Sequence, residues 1–155
     1  MLPSFAPVSS WEEGADLIGF IPRTPRETLG FPVDSMHVFV RDHKQREVPV
    51  SERSLEVYYR LKNDGPGFVL SQSCPGTPEA ERRAFQRSYG QDGRPTRVAG
   101  KPARLYPLGP PVAEDDVDGR PPAVIVWQDD DRLMLIASST LEVDQLQRVA
   151  DSLYG

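Results

Sequence analysis

Sixteen of the 155 residues are proline, about twice the usual share. Each proline removes a backbone donor and is excluded from helix interiors, so long helices cannot dominate and regular elements must be short. The hydrophobic content, 38%, is that of an ordinary folded chain. A chain of this length buries enough surface to hold a core without a metal or a disulfide. A single domain, residues 1–155, accounts for the length, with residues 1–9 expected as a disordered or extended N-terminal arm.

Between the prolines the hydrophobic period changes along the chain. Ser10-Trp-Glu-Glu13 is a capping box, in which the Ser10 oxygen accepts an orphan amide and Glu13 reaches back to the Ser10 amide. Trp11, Ala15 and Ile18 then recur at helical spacing, and Gly19 suits a left-handed C-terminal position. Pro22, Pro25 and Pro32 make the next stretch extended. From Met36 the period is two: Met36, Val38 and Val40 alternate with His37, Phe39 and Arg41. Leu55–Leu61 and Phe68–Ser73 form a hairpin across Lys62–Gly67, and Thr96–Val98 pairs with Ala103–Leu108 across Ala99-Gly100-Lys101. Ala123–Trp127 and Leu133–Ser138 form a third hairpin across Gln128–Arg132. Leu146, Val149, Ala150 and Leu153 give a helical stripe over 142–154. Asp42–Glu52 and Pro110–Pro122 read as loops, and Thr77-Pro78 could open a helix through Ser88.

Strands joined by such short turns must be mostly antiparallel, because a parallel return needs a long crossover. The expected fold is α+β: a single antiparallel sheet of about six to seven strands with N- and C-terminal helices packed on one face. Trp11 and Ile18, with Leu146, Val149 and Leu153, should meet Val124, Val126 or their neighbours, and Trp127 belongs to the core.

No residue set carries a catalytic signature. Cys74 with His37 or His43 would need a base and an orienting acid, yet Cys74 closes a strand before Pro75 and reads as a small buried hydrophobe. The two histidines lie six apart without zinc-type partners. The acidic stretches Asp129-Asp130-Asp131 and Glu114–Asp118 match no calcium loop and read as solvated turns. No catalytic residue, metal or cofactor is expected. Cys74 alone cannot form an internal disulfide, which suits a reducing compartment or an exported domain that needs no cross-link.

Charge is unevenly distributed. The net charge of −5 argues against a general attraction to nucleic acid or anionic membrane. Residues 82–104 nevertheless hold Arg82, Arg83, Arg87, Arg94, Arg97, Lys101 and Arg104 against Asp92 alone, a candidate patch for an anionic partner. Phe85 and Tyr89 interleave, as a stacking groove for single strands requires. A solvated face with an i, i+4 ladder through Glu79, Arg83 and Arg87 competes with that reading, and nucleic acid is disfavoured. The first ten residues carry no positive charge and form no signal peptide. The longest apolar runs, Ala123–Trp127 and Leu133–Ala137, fall far short of the roughly 20 residues of a spanning helix, so any membrane tether is expected upstream.

Four passages taken together carry a family likeness. They are Ser10–Ala15 leading to Ile18-Gly19-Phe20 and Pro25; Leu55–Tyr59 followed by Phe68–Gln72; Val98-Ala99-Gly100 with Ala103; and Val124–Trp127, Leu133–Ala137 and Val149–Leu153. In these the chain resembles the domain of unknown function at the extracytoplasmic end of bacterial anti-sigma-factor-like membrane proteins and sporulation-related lipoproteins. It is also distantly similar to the lipoprotein-carrier class. The resemblance implies a noncatalytic sensor or protein-interaction module on the outer side of the cytoplasmic membrane, with a cytoplasmic location as the alternative. The carrier likeness implies a second function, an apolar-ligand site between sheet and helices lined by Leu17, Phe39, Val57 and Leu135. Nucleic-acid binding through 82–104 is the third.

Overall fold

The computed structural model describes residues 4–42, 44–63, 65–74, 93–109 and 122–155. Eight strands occur in it: β1 (Ser4–Val8), β2 (Val33–Arg41), β3 (Ser54–Arg60), β4 (Gly67–Ser73), β5 (Arg94–Val98), β6 (Lys101–Tyr106), β7 (Ala123–Asp129) and β8 (Arg132–Ser138). Among the described residues two helices accompany them, α1 (Trp11–Ile18) and α2 (Val143–Ser152). The strands form one sheet in the order β1-β2-β3-β4-β8-β7-β6-β5, with every neighbouring pair antiparallel. The sheet is thus two four-stranded meanders, joined where β8 pairs with β4.

The strand count exceeds the expected six to seven. The extra strand is β1, inside the expected N-terminal arm, where Ala6 lies opposite Val38 and Pro7 opposite His37. An edge strand needs a partner on one side only, so Pro7, which argues against a strand in sequence, is tolerated there. The candidate helix through Ser88 and the loop from Pro110 to Pro121 lie outside the described residues. The loop at Asp42–Glu52 holds more structure than its charge suggests: the backbones of Arg41 and Glu47 form an isolated antiparallel β-bridge, Val48 is buried, and a single 3-10 turn spans Val50–Glu52.

Helix α1 starts as expected, with Ser10 Oγ accepting from the Glu13 amide at 3.1 Å. Glu13 does not close the box on Ser10. Its carboxylate accepts from the Ser9 amide and hydroxyl instead, at 3.0 and 2.8 Å, which lowers its pKa. Gly19 ends the helix at φ 81°, its N–H returning to the Ala15 carbonyl. Between β5 and β6 the two-residue turn Ala99-Gly100 has positive φ at both positions, the geometry that matches strand twist.

Alternation divides the sheet into two faces. Met36, Val57, Leu70, Ile136 and Ile125 lie in one cross-strand row and point toward the helices. Leu146 and Val149 of α2 are fully buried in the same core, as is Trp127. Each such side chain contributes about 1.5–3 kcal/mol through burial. The helices therefore meet Ile125 and Trp127 rather than Val124 and Val126. The run Ala-Val-Ile-Val-Trp is apolar at both parities, so only the pairing register reveals which residues face the helices. Val124 and Val126 join a second cluster on the opposite, outer face, with Tyr106, Leu133, Leu135 and Ala137.

Candidate functional site

Parity sends Asp129, two residues after Trp127, to the helix side at the end of β7. Its side chain is 4% exposed and accepts from Arg23 Nε at 2.7 Å, with Lys101 Nζ at 3.8 Å. The Tyr154 hydroxyl also hydrogen-bonds to this carboxylate, while accepting from Trp127 Nε1 at 2.8 Å. The Arg23 guanidinium lies over the Tyr154 ring, 4.3 Å from its centroid. Gln72, fully buried on β4, clasps the Arg23 backbone from both sides: its Oε1 accepts the amide and its Nε2 donates to the carbonyl, each at 2.8 Å.

Burial pushes the Asp129 carboxyl up, but the Arg23 and Tyr154 hydrogen bonds and the charges of Arg23 and Lys101 outweigh it, leaving the pKa lowered. Burial, helped by the Asp129 charge, pushes Tyr154 up to about 12. The stretch after α1 and the C-terminus are thereby fastened to one end of the sheet. Every group named satisfies another, as a structural latch requires. Sequence reasoning takes Asp129 for a solvated turn residue. Asp130 and Asp131 are exposed, but Asp129 is the last residue of β7 and is buried.

The outer face has a different character at each end. Across β1–β3, Phe39 packs on Phe5 with centroids 5.3 Å apart, and Phe5 is 42% exposed. His37 lies opposite Glu56 and meets Tyr58 edge-on at 5.9 Å. Arg60 covers the Tyr58 ring at 4.7 Å and pairs through Nε with Asp34 Oδ2 at 2.6 Å. Burial raises the Tyr58 pKa and the adjacent Glu56 charge adds to it, against Arg60. Leu133, Leu135 and Ala137 hold the middle, half-buried, with Val124 and Val126 already out of solvent. Over β5–β7 lies an open groove of about 650 Å³, lined among others by Pro95, Arg97, Pro102, Arg104 and Gln128.

The candidate anionic-partner residues separate. Arg82, Arg83 and Arg87 lie outside the described residues. Arg97 and Arg104 share the outer face and the groove. Lys101 turns to the helix side, where it faces Asp129 and the Tyr154 ring, and Arg94 shares the parity of the core residue Val98. The four candidate apolar-ligand residues separate as well. Val57 and Leu17 pack in the helix-side core, whereas Phe39 and Leu135 lie across the sheet on the outer face. Because the sheet runs between these pairs, the four do not line one chamber.

Cys74 follows β4, half-buried. Burial pushes its thiol up, Asp131 adds to that and Arg132 opposes it, the reverse of what activates a nucleophile. His37 belongs to the outer face, and His43 lies outside the described residues. Among the described residues no three metal-ligating side chains converge, and no helix is long and apolar enough to cross a membrane. The aromatic cluster at His37 and Tyr58 left one signal in sequence, the shared parity of Phe39 and His37; its partners become visible only through register. The chain matches no family model, no curated protein and no solved structure.

Proposed function

We propose that this chain is a noncatalytic protein-interaction or sensor module that binds through the outer face of its sheet. The extracytoplasmic face of a bacterial cytoplasmic membrane is the location its family likeness implies. One observation carries the reading: the two described helices pack on one face, and the two ends of the opposite face keep aromatic and charged side chains within reach of solvent. Phe5, Phe39, His37 and Tyr58 stand at one end with Asp34 and Glu56, and Arg97 and Arg104 stand at the other. Aromatic and arginine side chains are the usual anchors of protein interfaces.

The sheet edges favour the face as well. Pro7 withholds a donor in β1 and Pro95 in β5. Two side chains of α2 also cap β5: Gln147 Nε2 donates to the Arg97 carbonyl at 2.8 Å, and the Ala99 amide donates to Asp151 Oδ1 at 3.2 Å. Such edges resist strand addition.

Photo-crosslinking in producing cells tests the reading, with a photoreactive amino acid at Phe5 or Tyr58 on the outer face and at Glu12 or Asp144 on the helix side. A discrete heterologous adduct from the outer-face positions alone is expected. Equal adducts from both sides, or none from the outer face, would refute it.

A further inference from the structure

We infer that the groove over β5–β7 is a seat for an extended acidic peptide, held by Arg97 and Arg104. The inference deepens the interaction-module reading and rests on it. On the outer face Arg97 lies opposite Pro102, and Arg104 lies opposite Pro95, so the two arginines are diagonal neighbours across the β5–β6 pair. Diagonal neighbours stand roughly 7 Å apart, which matches the separation of alternate residues along an extended strand. An extended peptide laid along this diagonal would therefore pass both arginine positions, with carboxylates at alternate residues within reach of their long side chains. Planar guanidinium suits this task, because it can hold a carboxylate through two parallel hydrogen bonds.

The placement of Arg97 is fixed locally. Its Nη1 donates to the Gly100 carbonyl at 2.9 Å, using one of five N–H donors and leaning the side chain along the β5–β6 turn. Arg104 and Gln128 are each engaged within the chain, so what matters is where their charge and dipole sit rather than any vacancy. Pro95 and Pro102 provide apolar flanks beside the two arginines. The groove volume, about 650 Å³, falls within the range of ligand sites.

A peptide fits better than a nucleic acid. Single strands need aromatic platforms and a run of phosphate contacts. This groove offers two arginines and two prolines, with no aromatic side chain among its described lining, on a chain of net charge −5.

The test is fluorescence anisotropy on the full chain, using a labelled Glu-Ser repeat peptide at low salt. Separate Arg97→Glu and Arg104→Glu variants should each weaken binding about tenfold, while Arg26→Glu on the connection after α1 leaves it unchanged. Circular dichroism melts check that the variants fold. A Lys-Ser repeat should not bind, and free glutarate should compete only far more weakly than unlabelled peptide. Binding indifferent to both arginines, equal binding of the lysine peptide, tighter binding of oligothymidylate, or glutarate competing as well as peptide would each overturn the assignment. Failure here with outer-face crosslinks intact removes the acidic peptide and leaves the interaction face. Absence of those crosslinks removes the face itself.

Discussion

Replacing Arg23 by Met keeps the aliphatic stem but deletes the guanidinium that meets Asp129 at 2.7 Å. A hydrogen bond to a charged group is worth about 1.5–3 kcal/mol, and stripping one partner from a fully buried ion pair costs about 3–5 kcal/mol. Two features place this pair below the upper range. The Arg23 side chain is 38% exposed, so water screens it, and Lys101 remains 3.8 Å from the same carboxylate. The expected loss is about 2 kcal/mol, which lowers the unfolding midpoint by roughly 4–8 °C for a domain of this size.

The pH dependence gives the same substitution a second readout. Asp129 has a folded pKa below its ordinary value, so its stabilisation is complete above that ordinary value and is lost as pH falls through the depressed one. Without Arg23, burial gains on the remaining partners and the folded pKa rises. The acid unfolding midpoint should therefore move up in Arg23→Met. Thermal melts by circular dichroism, acid titration by tryptophan fluorescence, and a double-mutant cycle with Asp129→Asn measure all three quantities. A cost below about 0.5 kcal/mol, additive cycle energies and an unmoved acid midpoint would reduce the latch to an ordinary surface ion pair.

The other end of the same network titrates in alkali. Tyr154 is pushed up to about 12 against about 10 for the unfolded chain, so its contribution is full below the lower value and disappears as pH climbs between the two. Tyrosinate absorbance should show a late-ionising group that Tyr154→Phe removes; an unchanged titration in that variant would discard the assignment. At the β5 edge, Pro95→Val combined with Gln147→Ala restores a donor and lifts a cap, and sedimentation velocity should then detect concentration-dependent self-association. Sedimentation identical to that of the unmodified chain would show that neither residue guards the edge.

The regular elements were legible because each carried a local period or cap. Ser10 and Gly19 bound α1, the Leu146–Val149–Leu153 stripe marks α2, and alternation from Met36 marks β2. Legibility failed wherever the answer depended on a partner distant in sequence. Nothing local to Ser4–Val8 reveals that β2 lies beside it, and the two prolines of the first seven residues argue the other way. Nothing in Ala123–Trp127 says which valines leave the core, since only pairing with β6 and β8 fixes that parity. Asp129 is illegible for the same reason: its partners, Arg23, Lys101 and Tyr154, lie far along the chain. The basic patch is a run of charge in sequence, but β-strand alternation sends Arg97 and Lys101 to opposite faces.

That division of charge bears on how the outer face can recognise a partner. At physiological salt, fields between exposed charges fade over about 8 Å, so a groove with two guanidiniums cannot recruit anions from far across a molecule of net charge −5. It can act only at contact range, where the spacing of its two arginines matters more than the total charge. If the groove seats an acidic peptide as proposed, selectivity for acidic residues at alternate positions and indifference to polyanions that rely on long-range attraction are the expected consequences. The aromatic end of the face complements this arrangement. Phe5, Phe39 and Tyr58 offer apolar contact area that salt does not screen, so a partner spanning both ends would hold on through its apolar residues and be aligned by its acidic ones.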